Sequence, residues 1–209
     1  MSANSRRKMK AVKFYTDEQF DRIAERTLCE ADLYPMRNRP RVQIDLLLEG
    51  FAGVELDQFA EIPDLDVLGA TRIKGNGFTV DINSALTKRY DAKYALDWEH
   101  SLWRTTLGHE LGHVILHRHE LAHASLLRCT NREIVRPTVR IYDQVEFQAN
   151  ALMAAILMPK RLVIDCYTDA DIRLERPSEI IEDLAESFEV SKTAMTIRLK
   201  RIGLDPFDR

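Results

Sequence analysis

The chain has 209 residues, of which 45% are apolar and 30% charged, and its 30 basic and 33 acidic side chains leave a formal net charge of -3. That composition suits one folded domain, or one domain with a small appendage, and excludes a disordered or fibrous chain. The near balance of charge gives no global attraction to nucleic acid or to an anionic membrane, and three cysteines (Cys29, Cys129, Cys166), odd in number and far apart, argue against a disulfide framework or a thiolate zinc site.

The cysteines are expected to be reduced and mostly buried. The basic start, Ser5-Arg6-Arg7-Lys8-Met9-Lys10, has no apolar stretch behind it and is not a secretory signal. Residues 17–30 carry Phe20, Ile23, Ala24, Thr27 and Leu28 at helical spacing. Pro35 and Pro40 mark a connector, 44–51 reads as a short helix, and Val54-Glu55-Leu56 begins an extended piece. Residues 67–73 are rich in strand formers, Lys74-Gly75-Asn76-Gly77 is a turn, and Phe78-Thr79-Val80-Asp81-Ile82-Asn83 alternates apolar and polar. Together they predict a hairpin with one apolar face. Residues 98–119 read as one long helix, 120–139 as irregular, 144–158 as a second strong helix stopped by Pro159, and 178–203 as two more helical runs. The most apolar segment, 149–159, is too short to span a bilayer. A soluble, cytoplasmic protein without membrane contact is expected.

Chemistry concentrates at His109-Glu110-Leu111-Gly112-His113. Residues four apart share a helix face, so the two histidines can direct imidazoles at one ion. Glu110, one step round, stands beside the ion and can take a proton from water activated by it. Leu107, Leu111, Val114 and Ile115 make this a buried helix, and Gly108 and Gly112 persist inside it although each costs about 1 kcal/mol against alanine. Such small residues suggest close approach of another backbone. A catalytic zinc usually takes a third protein ligand, and two candidates compete. His119 completes a three-histidine spacing, but that pattern needs glycine where this chain has Leu116. Glu146 interrupts the apolar helix 144–158, and a carboxylate there must be paired or bind metal; it is the favoured third ligand, with Asp143 a minor rival. His117 lies near the ligand face, and Asn150 could orient a ligand by hydrogen bonding. Tyr142 and His119 are candidate oxyanion donors. The strand 78–83 either pairs with an extended substrate or is simply part of the sheet.

Arg104-Thr105-Thr106-Leu107-Gly108-His109-Glu110-Leu111-Gly112-His113 resembles the Arg-Phe-Thr-Leu-Ala-His-Glu-Leu-Gly-His segment of ImmA/IrrE metallopeptidases. The stretch from Glu146-Phe147-Gln148-Ala149-Asn150 to Leu157-Met158-Pro159 resembles that family's Glu-x-x-Ala-Asn-x-Phe-Ala-x-x-Leu-Leu-Met-Pro. The resemblance covers roughly residues 40–204. It implies that His109, His113 and Glu146 are metal ligands and that Glu110 is the general base. It further implies an α+β fold with a gluzincin-like zincin core, a small β-sheet packed on the active-site helix, followed by a helical bundle. The expected division is a flexible basic arm (1–13), a zincin-like metallopeptidase domain (14–165) and a C-terminal helical subdomain (166–209). The implied metal is Zn2+, with Mn2+ as the harder-ligand alternative. The implied substrate is a helix-turn-helix transcriptional repressor, cleaved to relieve repression in a phage, mobile-element or stress response.

The segment Leu184-Ala185-Glu186-Ser187-Phe188-Glu189-Val190-Ser191 and the helix after it resemble a helix-turn-helix, with Ser191 as N-cap and Lys192, Arg198, Lys200 and Arg201 on the second helix. A packed bundle with a solvated basic face is the preferred reading over DNA binding. The alternative to a peptidase is a DNA-binding or repressor-sequestering regulator with a structural metal.

Overall fold

The computed structural model describes residues 12–93, 96–124, 127–130, 141–173, 176–205 and 207, with backbone alone for 122–124, 127–130, 141–143 and 171–173. Of the expected basic arm only positions 12 and 13 fall among the described residues. The element order is α1 (Asp17–Glu30), α2 (Ile44–Glu49), β1 (Val54–Ala60), β2 (Val67–Lys74), β3 (Gly77–Asn83), α3 (Ser84–Tyr90), α4 (Asp97–Leu116), α5 (Arg118–Ala124), β4 (Leu127–Thr130), α6 (Ile141–Leu157), α7 (Lys160–Arg173), α8 (Pro177–Phe188) and α9 (Lys192–Arg201).

This is an α+β fold in which a small sheet packs on α4 and the other helices surround them. The sheet order is β1-β3-β2-β4. β1 runs parallel to β3, and the β2–β3 hairpin and the β2–β4 pair are antiparallel. The predicted hairpin is present, and Phe78, Val80 and Ile82 form its buried face. Of the two readings left open for strand 78–83, membership of the sheet is the one that holds. The strand 78–83 is flanked on both sides by β1 and β2, so its backbone groups are already paired and it offers no edge to a substrate. Asn83 ends it, donating from Nδ2 to Val67 O (2.9 Å) and accepting from Ala85 N–H (3.0 Å), which closes the hairpin base and caps α3.

α4 is the centre of the molecule. Ser101, Trp103, Arg104 and the whole run 106–114 are buried, so the helix is enclosed on every side. It ends at Leu116 rather than running through His119. His117 keeps its N–H bond to His113 O (2.9 Å) but takes φ -118°, and α5 starts at Arg118. Within the stretch expected to be irregular, α5 and β4 are regular. α1 begins with a reciprocal cap: Gln19 N–H donates to Thr16 Oγ1, and Thr16 N–H to Gln19 Oε1. It buries Phe20, Ala24 and Leu28, packing against α6.

α7 runs continuously across positions 165 and 166 and joins the core to α8 and α9. Glu189, between α8 and Ser191, has φ 51° and ψ 52°, the left-handed conformation that normally favours glycine. Its carbonyl and that of Phe188 accept from the fully buried Arg104, which also donates to Val42 O at 2.9 Å. Those contacts hold the bend without glycine. Cys29 is exposed, contrary to expectation, Cys166 is partly buried, and both are free thiols. The Cys129 side chain lies outside the described residues. No described helix is long and apolar enough to cross a membrane.

Candidate metal centre

Two helices build the site. α4 carries His109, Glu110 and His113 on adjacent faces, and α6 carries Glu146, Gln148 and Asn150. The helices cross so closely that a Cβ placed on Gly112 would stand 2.8 Å from Ala149 O and 3.0 Å from Ala149 Cα. No larger residue fits there without parting the helices. This close crossing is what Gly112 pointed to, whereas a Cβ on Gly108 would meet only side chains, Met153 at 2.9 Å first, and the crossing brings Glu146 to the histidine pair.

His109 Nε2 and His113 Nε2 stand 2.9 Å apart. Glu146 Oε2 lies 3.1 Å from the first and Oε1 3.5 Å from the second. Donors bonded to a tetrahedral zinc at about 2.0–2.2 Å stand about 3.3–3.6 Å apart, close to this spacing. The outer nitrogens are also engaged. His109 Nδ1 lies 3.1 Å from Asn150 Oδ1, which accepts from it, and His113 Nδ1 lies 3.0 Å from His117 Nδ1. With those protons directed outward, both Nε2 atoms present lone pairs inward. Glu146 Oε1 is buried without a hydrogen-bond donor. Two lone pairs and a carboxylate facing one another require a proton or a cation between them. The residues therefore fit a divalent metal, and these three form the one group of metal-capable side chains among the described residues.

The electrostatics agree. Burial works against ionising Glu146, yet His109 and His113, which donate to it from Nε2 when protonated and add their charge, outweigh it and hold its pKa down to about 2. His113 is lowered to about 4, chiefly by burial. Burial also opposes charge on His109, but the bond to Glu146 and the charges of Glu110 and Glu146 prevail and raise it. Without metal, His109 thus holds the proton that a cation would displace. Proton and metal compete for Nε2, so apparent metal affinity is expected to fall about tenfold per unit as pH drops through the raised His109 pKa. Above that pKa the affinity should level off with respect to this group. Since the ordinary value is 6.5, the decline begins above it, and His113 adds a second proton near pH 4. Chelator competition from about pH 5 to about pH 8 checks this, a flat profile being the contrary result.

Glu110 is fully buried beneath β2. Thr71 Oγ1 donates to its Oε2 at 2.5 Å. A Cβ on Gly69 would stand 2.9 Å from Glu110 Oε1, so glycine leaves the room the carboxylate occupies. Neither residue is evident from the sequence, because residues 67–71 are buried on both faces and show no alternation. Gln148 was likewise missed, although it lies two residues from Glu146. His119 is exposed on α5 and is not among the converging donors. The side chains of Asp143 and Tyr142 lie outside the described residues.

Residues 103–200 match a family model, that of the M78 peptidases, described as the IrrE N-terminal-like domain. No curated protein and no solved structure gives a match. The matched region contains both metal-site helices and continues to the C-terminal pair, so residues 103–200 are similar to the IrrE N-terminal-like domain of the M78, or ImmA/IrrE, peptidases.

Proposed function

We propose that the chain is a zinc-dependent endopeptidase that cleaves a helix-turn-helix transcriptional repressor and so relieves repression. The observation that carries the hydrolytic reading is the convergence of two imidazole lone pairs and the part-buried carboxylate of Glu146 beside a fully buried second carboxylate, Glu110. The match of residues 103–200 to the M78 peptidase model supports a metal-dependent peptidase. Two neutral imidazoles with one carboxylate are a donor set suited to zinc.

His109, His113 and Glu146 would hold the ion. Bound there, it would supply Lewis acidity, making water acidic near neutral pH and polarising the scissile carbonyl. Glu110 takes the proton from the attacking water and passes it to the departing amine. Thr71 pins Oε2 of that carboxylate and sets its rotation. An extended substrate would pair with β4, which among the described residues is the sheet edge next to β2, the strand that carries Gly69 and Thr71 over Glu110.

The competing reading, a DNA-binding or sequestering regulator, loses its main support at α9. Lys192 pairs with Glu182, Arg198 with Asp21, Lys200 with Asp205 and Arg201 with Asp17. Each base of the second helix is engaged by an acid of this chain, which leaves little uncompensated charge for phosphates.

The test is to incubate the protein and Zn2+ with the repressor encoded by the neighbouring gene and resolve the mixture by gel and mass spectrometry. Discrete fragments that vanish with chelator are expected. Intact repressor in a stoichiometric complex would favour sequestration instead.

A further inference from the structure

Beyond the three ligands, a line of hydrogen bonds runs from His113 to the segment ahead of α1. His113 Nδ1 lies 3.0 Å from His117 Nδ1, and His117 Nε2 lies 3.1 Å from Gln148 Oε1. Gln148 Nε2 donates to the backbone oxygen of Lys13 at 2.6 Å. His117 and Gln148 are both buried.

The protons on this line can be ordered from its far end. The Lys13 carbonyl can only accept, so Gln148 must turn its NH2 towards it and its Oε1 towards His117. That oxygen in turn only accepts, so His117 carries its proton on Nε2. A neutral imidazole has a single N–H, which leaves His117 Nδ1 as a lone pair. His113 must then donate from Nδ1, and its Nε2 is left as a lone pair facing His109 and Glu146. Turning the Gln148 amide over would set two oxygens against each other at Lys13.

We propose that the Lys13 carbonyl, Gln148 and His117 form a proton-ordered relay that fixes the tautomer and ring orientation of His113 for metal. His117 and Gln148 are positioning residues acting through His113, and the segment ahead of α1 becomes part of the metal centre. The proposal rests on the reading of His109, His113 and Glu146 as the metal site. Partners behind a ligating histidine commonly change metal affinity by about 10–100-fold when removed.

The experiment measures Zn2+ affinity of the full chain by competition with a chromophoric chelator. Gln148→Met, which lacks both amide functions, and His117→Phe, which lacks the acceptor, should bind about 10–100-fold more weakly. Gln148→Glu keeps an acceptor for His117 but sets an oxygen against the Lys13 carbonyl, and should recover part of the affinity lost in Gln148→Met while staying below wild type. Loss of packing alone would not be rescued by that change. Affinities of Gln148→Met and wild type that agree overturn the relay, as does a Gln148→Glu loss equal to that of Gln148→Met. Long-range 1H–15N correlation spectra of the Zn2+-loaded wild type give a check needing no variant. Protonated Nδ1 on His113 and Nε2 on His117 are expected, and the opposite tautomer on His117 overturns the proposal. Glu146→Ala separates the two readings: if it binds Zn2+ as tightly as wild type, the metal site itself is wrong, whatever the relay does.

Discussion

Glu110→Gln is expected to keep its metal and lose peptide hydrolysis by about 10²–10⁴-fold, the range attributed to a general acid–base. The amide has the shape of the carboxylate, so it still fits the space left by Gly69, and its oxygen can still accept from Thr71. What it cannot do is take a proton from water. None of the three converging donors is altered, so metal content after dialysis should match wild type while turnover of a flexible peptide collapses. Thr71→Val should give an intermediate loss, since the carboxylate remains but its rotation is no longer held. A Glu110→Gln protein with wild-type turnover would remove Glu110 from the mechanism and with it the assigned chemistry.

The metal helices were legible because their requirements are local. Two histidines four apart must share a face, a glutamate between them must stand beside that face, and Gly108 and Gly112 must answer to a close neighbour. The neighbour is α6, whose part-buried Glu146 announced itself as a charge in an apolar helix. What stayed hidden depends on pairing between distant segments. The sequence 78–83 shows one apolar face, but nothing in it tells that β1 returns parallel on one side while β2 occupies the other. The end of α4 at His117 was also unreadable, since Leu116 and the residues around it favour continued helix. There the buried side-chain bonds of His117 to His113 and Gln148 accompany its non-helical backbone, φ -118°. Gln148 and Lys13 are 135 residues apart in the chain, so no motif could link them.

The largest stability effect is expected at Arg104, a residue of the family-like block that never approaches the metal ligands. Its side chain is fully buried, and burial lowers its pKa to about 10 against the pull of Glu189, so it stays charged at neutral pH. The guanidinium donates to Val42 O, Phe188 O and Glu189 O, joining the chain ahead of α2 to the end of α8. A positive charge at a helix C-terminus is favourable in itself. Its planar fork reaches three carbonyls, which a lysine ammonium cannot do in the same geometry. Arg104→Met keeps much of the volume but strands those carbonyls, each costing about 1–3 kcal/mol when left buried and unpaired. Because the carboxylate of Glu189 is partly exposed, the loss comes mainly from the backbone acceptors rather than from the ion pair. Arg104→Met should therefore destabilise the fold by about 3–5 kcal/mol in denaturant unfolding. Arg104→Lys should recover only part of that. A loss below about 1 kcal/mol would mean that water reaches these carbonyls once the arginine is gone. In that case the left-handed turn at Glu189 would be held by its own backbone bonds, Glu189 N–H to Glu186 O and Val190 N–H to Ala185 O, and by the packing of Phe188 and Val190.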